Sequence, residues 1–226
     1  MKKIVIAIDG FSSCGKSTLA NQLAKELDYA FVDSGAMYRA ITLYFLQNNI
    51  NVENEIEVKK TLQNINLKFI YLPEMSKSMI QLNGESVEEK IRQKNINDHV
   101  SIVSTNKDVR EFAIAQQQQM GREKALVMDG RDIGTTVFPN AELKIFVTAD
   151  VNVRVDRRFK ELQEKGIAST KEEVKKNLME RDFIDSNRDF SPLKKADDAI
   201  VLDNSFLTKE EQLQFVLQRA KEKINA

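Results

Sequence analysis

The chain has 226 residues, 42% hydrophobic and 30% charged, which is ordinary for a globular protein and suits one core carrying an insertion. Its 34 Lys and Arg cancel its 34 Asp and Glu, so no global positive field exists to hold nucleic acid or anionic lipid. One cysteine and one histidine exclude an intramolecular disulfide and a Cys/His zinc cluster.

In chain order, Ile4–Ile8 is a β-branched run of the kind found in a strand buried on both faces. The run breaks at Asp9, too soon for a signal-peptide core, and no later run approaches a membrane span. A cytoplasmic protein is therefore expected. A glycine-bearing loop, Asp9–Gly15, leads into Ser17–Leu27, where Leu19, Leu23 and Leu27 mark one helical face. A short strand over Ala30–Val32 and a helix near Met37–Gln47 follow. Further short strands are expected at Ala125–Met128, Leu143–Val147 and Ile200–Leu202. Helices are expected between and after them, at about Asp108–Met120, Val151–Glu164, Glu172–Asp182 and Lys209–Ile224. Thr170/Glu173 and Thr208/Glu211 have capping-box spacing. Strands alternating with helices imply an α/β fold with a parallel sheet.

One stretch breaks that rhythm. Leu67–Leu72 and Ser78–Leu82 read as strands, and Asn83-Gly84 is a hairpin turn before Glu85–Val87, so a small antiparallel insertion is expected at roughly 62–97. Gln116–Gln119 continues a helical pattern and reads as a solvated face.

Gly10-Phe11-Ser12-Ser13-Cys14-Gly15-Lys16-Ser17 matches the G-x-x-x-x-G-K-[ST] phosphate loop, followed by Thr18. Gly10 and Gly15 permit backbone angles that turn N–H groups inward, and the following helix adds its positive end. In this motif Lys16 reaches the β- and γ-phosphates of a nucleoside triphosphate, and the Ser17 hydroxyl ligates Mg²⁺. The loop lies between a buried strand and an amphipathic helix, the context the motif requires. The guanine-reading N-K-x-D motif is absent, because Asn106-Lys107-Asp108 has its aspartate one place early. Asp129 ends a buried strand, where it either holds a metal-bound water or serves structure.

Three further clusters follow strands. In Asp33-Ser34-Gly35-Ala36-Met37-Tyr38-Arg39, Ser34 is placed to cap a helix, and Arg39 either projects to a phosphate or lies on the surface. Asp129-Gly130-Arg131-Asp132 leaves two charged side chains free of the core or forms a charged turn. Arg181, Asp185 and Arg188 fall at i, i+4 and i+7, one helical face. Segment 154–195 has a slight excess of Lys and Arg, including Arg154, Arg157 and Arg158. Such an excess fits either a solvated face or a flap that serves phosphoryl transfer.

Together these motifs, with Ile133-Gly134-Thr135, Val137-Phe138-Pro139, Pro192-Leu193 and Asp197-Asp198-Ala199, resemble the bacterial cytidylate kinases of the nucleoside monophosphate kinase superfamily, in order and across nearly the whole chain. The resemblance implies a five-stranded parallel-sheet core forming a single kinase domain over 1–226. It also implies a substrate-binding insertion matching 62–97 and a mobile lid around 151–191. It implies ATP and Mg²⁺ with CMP or dCMP as acceptor, and a monomer without nucleic-acid or membrane partners. Carried over by position, Ser34, Arg39, Ser101, Arg110, Arg131, Asp132, Arg181, Asp185 and Arg188 would contact the monophosphate. Ser101, Arg110 and Asp132 would read cytosine, with Asp132 accepting from its amino group, and Arg181 and Asp185 would lie at the sugar. Arg39, Arg131 and Arg188 would hold the acceptor phosphate, and Arg157 and Arg158 would lie near the ATP phosphates. Phe11 and Cys14 depart from the proline and alanine common in the family, and Ile184 and Ser186 replace arginines found in some members. Cys14 is either a redox-sensitive loop thiol or a plain small loop residue.

Two other readings compete. Another kinase of the superfamily would prefer a different acceptor, and the carboxylate of Asp132 discriminates because it suits the amino group of cytosine and repels O4 of uracil. A phosphate-loop switch module would bind ATP alone, with no second nucleotide site.

Overall fold

A computed structural model describes residues 2–72 and 77–226. The central strand β1 (Val5–Gly10) is buried along its whole length. Its alternate side chains explain the unbroken apolar run. Ile4, Ile6 and Ile8 enter one core with helix α1 (Lys16–Leu27), while Val5 and Ala7 enter a second core on the opposite face. Strands β2 (Ala30–Asp33), β6 (Leu126–Gly130), β7 (Leu143–Thr148) and β8 (Ile200–Asp203) complete a five-stranded sheet of order β2-β6-β1-β7-β8. All its pairings are parallel. The chain moves from β1 past the later β6 to β2, then returns to add β7 on the other side. The order therefore switches beside β1, where a ligand crevice opens at the carboxyl ends of the strands.

Helix α8 (Lys209–Asn225) packs with α1 on the first face. Helices α2 (Ser34–Gln47), α4 (Lys94–Val103) and α5 (Lys107–Met120) cover the second, and α3 (Glu55–Leu62) adds Val58 and Leu62 there. The capping boxes at Thr170 and Thr208 are both formed. The expected insertion is an antiparallel sheet of β3 (Leu67–Leu72), β4 (Lys77–Leu82) and β5 (Glu85–Ser86), paired Phe69 to Ile80 and Leu82 to Glu85. Asn83 and Gly84 both have positive φ, 51° and 87°, as a two-residue primed turn requires. Part of the expected insertion, residues 73–76, lies outside the described residues. Leu67, Ile80, Leu82 and Val87 belong to the same core as Val5 and Met37, so this small sheet is continuous with the main body. Helices α6 (Val151–Glu164) and α7 (Lys171–Asn187) differ. They pair over a separate core of only Val155, Val174 and Leu178, flanked by Val151, Phe159 and Leu162.

Several local expectations change. Helices α3 and α4 were not expected, although Ile96, Val100 and Val103 in α4 have helical spacing and are buried. Asp33, not Ser34, caps α2: its carboxylate accepts from the Ala36 N–H at 3.0 Å, while Ser34 Oγ donates to the Asp129 carbonyl at 2.6 Å. Helix α7 ends at Asn187, so Arg188 leaves the helical face in an extended conformation, its Nε donating to the Ser191 carbonyl. Gln117 is buried within the glutamine run because its position on α5 faces the core; only its neighbours follow the solvated pattern. After β6 the chain makes one π-type turn, Ile133–Val137, in which the Val137 and Phe138 N–H groups bond five residues back. Among the described residues, no helix is long and apolar enough to cross a membrane.

Candidate active site

A cleft of about 960 Å³ opens at the sheet's switch point, and the phosphate loop forms one wall. Gly10 adopts φ 146°, and an added Cβ would lie 2.0 Å from the Val147 carbonyl oxygen, so only glycine lets the loop leave β1 against β7. Ser12, Ser13, Cys14 and Gly15 face the cleft, as do Lys16, Ser17 and Thr18. Gly10 and Phe11 do not line it. Gly10 sets the turn, and Phe11 packs edge-on against Phe146, its ring under the Arg154 guanidinium. Lys16 is buried and donates from Nζ to the Phe11 carbonyl at 2.6 Å. Burial, with the nearby charge of Arg131, lowers its pKa to about 8. Such an ammonium gains from an incoming phosphate.

Ser17 Oγ donates to Asp129 Oδ2 at 2.7 Å, and Asp129 Oδ1 is buried with no partner among the described residues. Burial and repulsion from Asp33 raise the Asp129 pKa to about 7. Hydroxyl plus carboxylate is a hard oxygen donor set, and a bound cation would relieve both the orphaned oxygen and the repulsion. Cys14 is fully buried in the same core as Leu19 and Leu23, and burial pushes its pKa up. The loop is strapped from beyond β8 by Asn204, whose Nδ2 donates to the Cys14 carbonyl at 2.7 Å. Arg157 grips the same asparagine, donating to its Oδ1 at 2.9 Å and its carbonyl at 2.8 Å. Arg158 pairs with Glu161 at 2.8 Å, and both arginines line the cleft from α6.

The opposite wall comes from segments far apart in sequence. Asp33 Oδ2 accepts from Arg39 at 2.8 Å and from Arg92 at 3.2 Å; burial opposes ionisation there, but the two guanidiniums outweigh it and hold the carboxyl low. Gly130 must be small, since a Cβ would lie 2.5 Å from Ser34 Oγ. Beyond it Arg131 bridges three groups, donating to Asp185 Oδ2 at 2.8 Å, Ser12 Oγ at 2.9 Å and the Gly130 carbonyl at 3.2 Å. Arg188 reaches Asp185 Oδ1 at 3.4 Å and Asp132 Oδ1 at 3.5 Å. Burial alone would raise the Asp185 pKa, but these arginines keep it low. Arg110, only 1% exposed, donates to Asp132 Oδ2 at 2.5 Å and stacks 5.2 Å from the Tyr38 ring. Arg181 has a buried Nε with no partner among the described residues, and burial together with the charge of Arg131 lowers its pKa to about 10. Ser34, Arg39, Ser101 and Arg110 line this half of the cleft, together with Arg131, Asp132, Arg181, Asp185 and Arg188.

The cleft thus collects all the residues expected to contact nucleotide except Gly10 and Phe11. It also contains groups whose roles the sequence did not reveal. Arg92 comes from the turn before α4, and only its place inside the insertion hinted at a substrate contact. Asn204 had no signal beyond its position after a short strand. Behind the cleft lining, Asp182 and Arg154 bond to each other and to the Ser12 backbone; they lay inside noted segments without assigned roles. Chemically, one wall is a cradle of N–H groups, an ammonium and an oxygen pair; the facing wall offers guanidiniums and three carboxylates, Asp33, Asp132 and Asp185, each held by two of them. That arrangement suits two phosphorylated ligands meeting end to end.

The comparisons with known proteins agree with this geometry. The family model for cytidylate kinase matches residues 6–222. A cytidylate kinase from Bacteroides fragilis is 52% identical over 229 residues, covering all of both chains. One from Flavobacterium johnsoniae is 53% identical over 221 residues, covering 96% of each. Among solved structures, a gluconokinase from Sinorhizobium meliloti superposes with a TM-score of 0.52 at 12% identity, covering 99% of this chain and 94% of that one. A sugar kinase from Janibacter gives 0.50 at 11%, covering 97% and 95%. At such identities these structures establish the phosphate-loop kinase fold alone, whereas sequence identity carried along the full length places this chain in the cytidylate kinase family.

Proposed function

We propose that the protein transfers the γ-phosphoryl group of ATP to CMP or dCMP, giving ADP and CDP or dCDP, with Mg²⁺ held at Ser17 and Asp129. The observation that carries this reading is a single cleft in which the phosphate loop faces the Asp132–Arg110 pair across Arg131. The base lies against Ser101, Arg110 and Asp132, where the carboxylate accepts from the cytosine amino group. Arg181 and Asp185 hold the sugar, and Arg39, Arg131 and Arg188 take the acceptor phosphate, with Arg92 beside Arg39. Lys16, Arg157 and Arg158 face the donor phosphates. Mg²⁺, which keeps water and phosphate ligands alongside one or two protein oxygens, supplies charge neutralisation on the donor when bound. The acceptor phosphate is already anionic at neutral pH, so the protein needs no general base. Catalysis is positioning and electrostatic stabilisation.

The α6–α7 pair serves as the lid over 151–191, supported by its separate small core. The segment at 62–97 serves as the substrate-binding insertion, supported by Arg92 reaching Asp33. The unit acts as a cytoplasmic monomer on small nucleotides; this chain supplies both walls of the cleft. The test is ADP formation from ATP–Mg²⁺ with CMP, dCMP, UMP, AMP, GMP and dTMP in turn. Activity with CMP and dCMP far above the others is expected. Activity confined to another acceptor removes the roles given to Ser101, Arg110 and Asp132, and none with any acceptor removes the kinase reading.

A further inference from the structure

Ser12 is 3% exposed, and all three of its polar groups are taken by residues outside the phosphate loop. Its N–H donates to Asp182 Oδ1 at 3.1 Å, its carbonyl accepts from Arg154 Nη1 at 3.3 Å, and its Oγ accepts from Arg131 Nη2 at 2.9 Å. Arg154 and Asp182 are bonded to each other, and the Arg154 guanidinium covers the Phe11 ring at 5.3 Å. Arg154 comes from α6 and Asp182 from α7, while Arg131 is tied through Asp185 to α7 as well. One residue of the loop is therefore the meeting point of both helices and of the arginine between the two phosphate sites.

From this we infer that Asp182 and Arg154 are positioning residues, which seat the α6–α7 pair on the phosphate loop through Ser12 and so couple phosphoryl transfer to exclusion of water. The inference rests on the kinase reading above. A purely stabilising role fits poorly. A buried charged pair is a weak stabiliser compared with apolar packing of similar volume, yet here it holds a helix pair whose own core has three buried side chains. What the pair does supply is orientation. With Asp182 in place, the Ser12 N–H and Oγ have defined directions, Arg131 is held between the donor and acceptor sides, and the seated helices cover the cleft. Without it the cleft stays open to solvent. A water oxygen can then bond to the γ-phosphorus as the β–γ bridging bond breaks, giving ADP and inorganic phosphate in place of CDP.

The test measures ADP and CDP in the same reaction of the full-length protein with saturating ATP–Mg²⁺ and CMP. The wild type is expected to form them one for one. Asp182→Ala should lower kcat by about 10- to 100-fold, the scale of a misplaced catalytic constellation, and form ADP in clear excess over CDP, with the KM for CMP little changed. Asp182→Asn, which retains an acceptor for the Ser12 N–H but no charge for Arg154, should fall between. A lost structural contact lowers both products together and leaves their ratio at one, so a ratio of one in both variants overturns the coupling. So does an unchanged kcat. A wild type that forms no CDP overturns the kinase reading itself, a result distinct from wild-type transfer with fully coupled variants.

Discussion

The antiparallel insertion and the α6–α7 pair both interrupt the parallel-sheet pattern, yet they are attached by different physics. Leu67, Ile80 and Leu82 of the insertion belong to the main core with Val5 and Met37. The helix pair has three buried apolar side chains of its own and reaches the phosphate loop directly through Arg154 and Asp182, and by way of Arg131 through Asp185. Apolar burial is non-directional and is lost only when the core opens, whereas charged hydrogen bonds are directional and can be exchanged for a ligand's. The same cleft is thus bordered by a part joined to the sheet through a shared apolar core and a part joined to it mainly through charged hydrogen bonds.

The sharpest challenge to that contrast is a pair of truncations. Ile80→Ala should cost about 2–5 kcal/mol and lower the urea midpoint of the whole protein, because its cavity opens in the shared core. Leu178→Ala, equally buried, should leave the global midpoint nearly in place and instead raise amide exchange within 151–187. Equal shifts in the global midpoint would show that the helix pair is not separate. Next in size, Lys16→Ala should lower kcat by about 10²–10³-fold, roughly the effect of one preorganised donor, without lowering that midpoint. Steady-state kinetics beside urea titration separates the two.

Asp9 tests the sheet through pH. Its carboxylate accepts from the Ile133 and Gly134 N–H groups at 2.8 and 2.7 Å, but burial raises its pKa to about 6. Between pH 4 and 6 the folded state therefore holds a proton that the unfolded chain has released. Its contribution to stability is full below that window and falls by about 3 kcal/mol as pH rises through it, at about 1.4 kcal/mol per pKa unit. Asp33 and Asp185, held low by arginines, act with the opposite sign and lose their contribution as the medium becomes more acid than the ordinary carboxylate range. Comparing unfolding free energies of wild type and Asp9→Asn across pH 4–7 should show a flatter profile for the variant. A profile with unchanged slope would remove Asp9 as its source. The smallest effect expected is that of Arg92→Ala, which raises the KM for CMP by about tenfold, or about 1.4 kcal/mol, with kcat nearly unchanged. A kcat loss with constant KM would mean that the insertion, like the helix pair, acts on turnover.

Much of this arrangement was legible along the chain because its signals are local. The phosphate loop spans eight consecutive residues whose geometry follows from two glycines, a strand before and a helix after. The Asn83-Gly84 turn and both capping boxes likewise depend on neighbours within a few residues. Helix α4 was equally readable from Ile96, Val100 and Val103, but its short polar flanks sit where the insertion pattern gives way, and the strand reading masked it. The glutamine run misled because composition carries no direction: Gln117 is inside only by virtue of the face of α5 on which it falls.

The sequence by itself determined the α/β order, the donor cradle and, through a chain of motifs, the family. Each of these is encoded in short-range periodicity or in fixed spacing. Only the tertiary structure decided that Asp33 is shared by Arg39 and Arg92, that Asp185 bridges Arg131 and Arg188, and that Ser12 joins the loop to both α6 and α7. Those pairings join residues up to 170 positions apart. A charged side chain carries no mark of its partner in the linear sequence; the partner is chosen when packing brings the two out of water together and leaves each the other's best hydrogen bond.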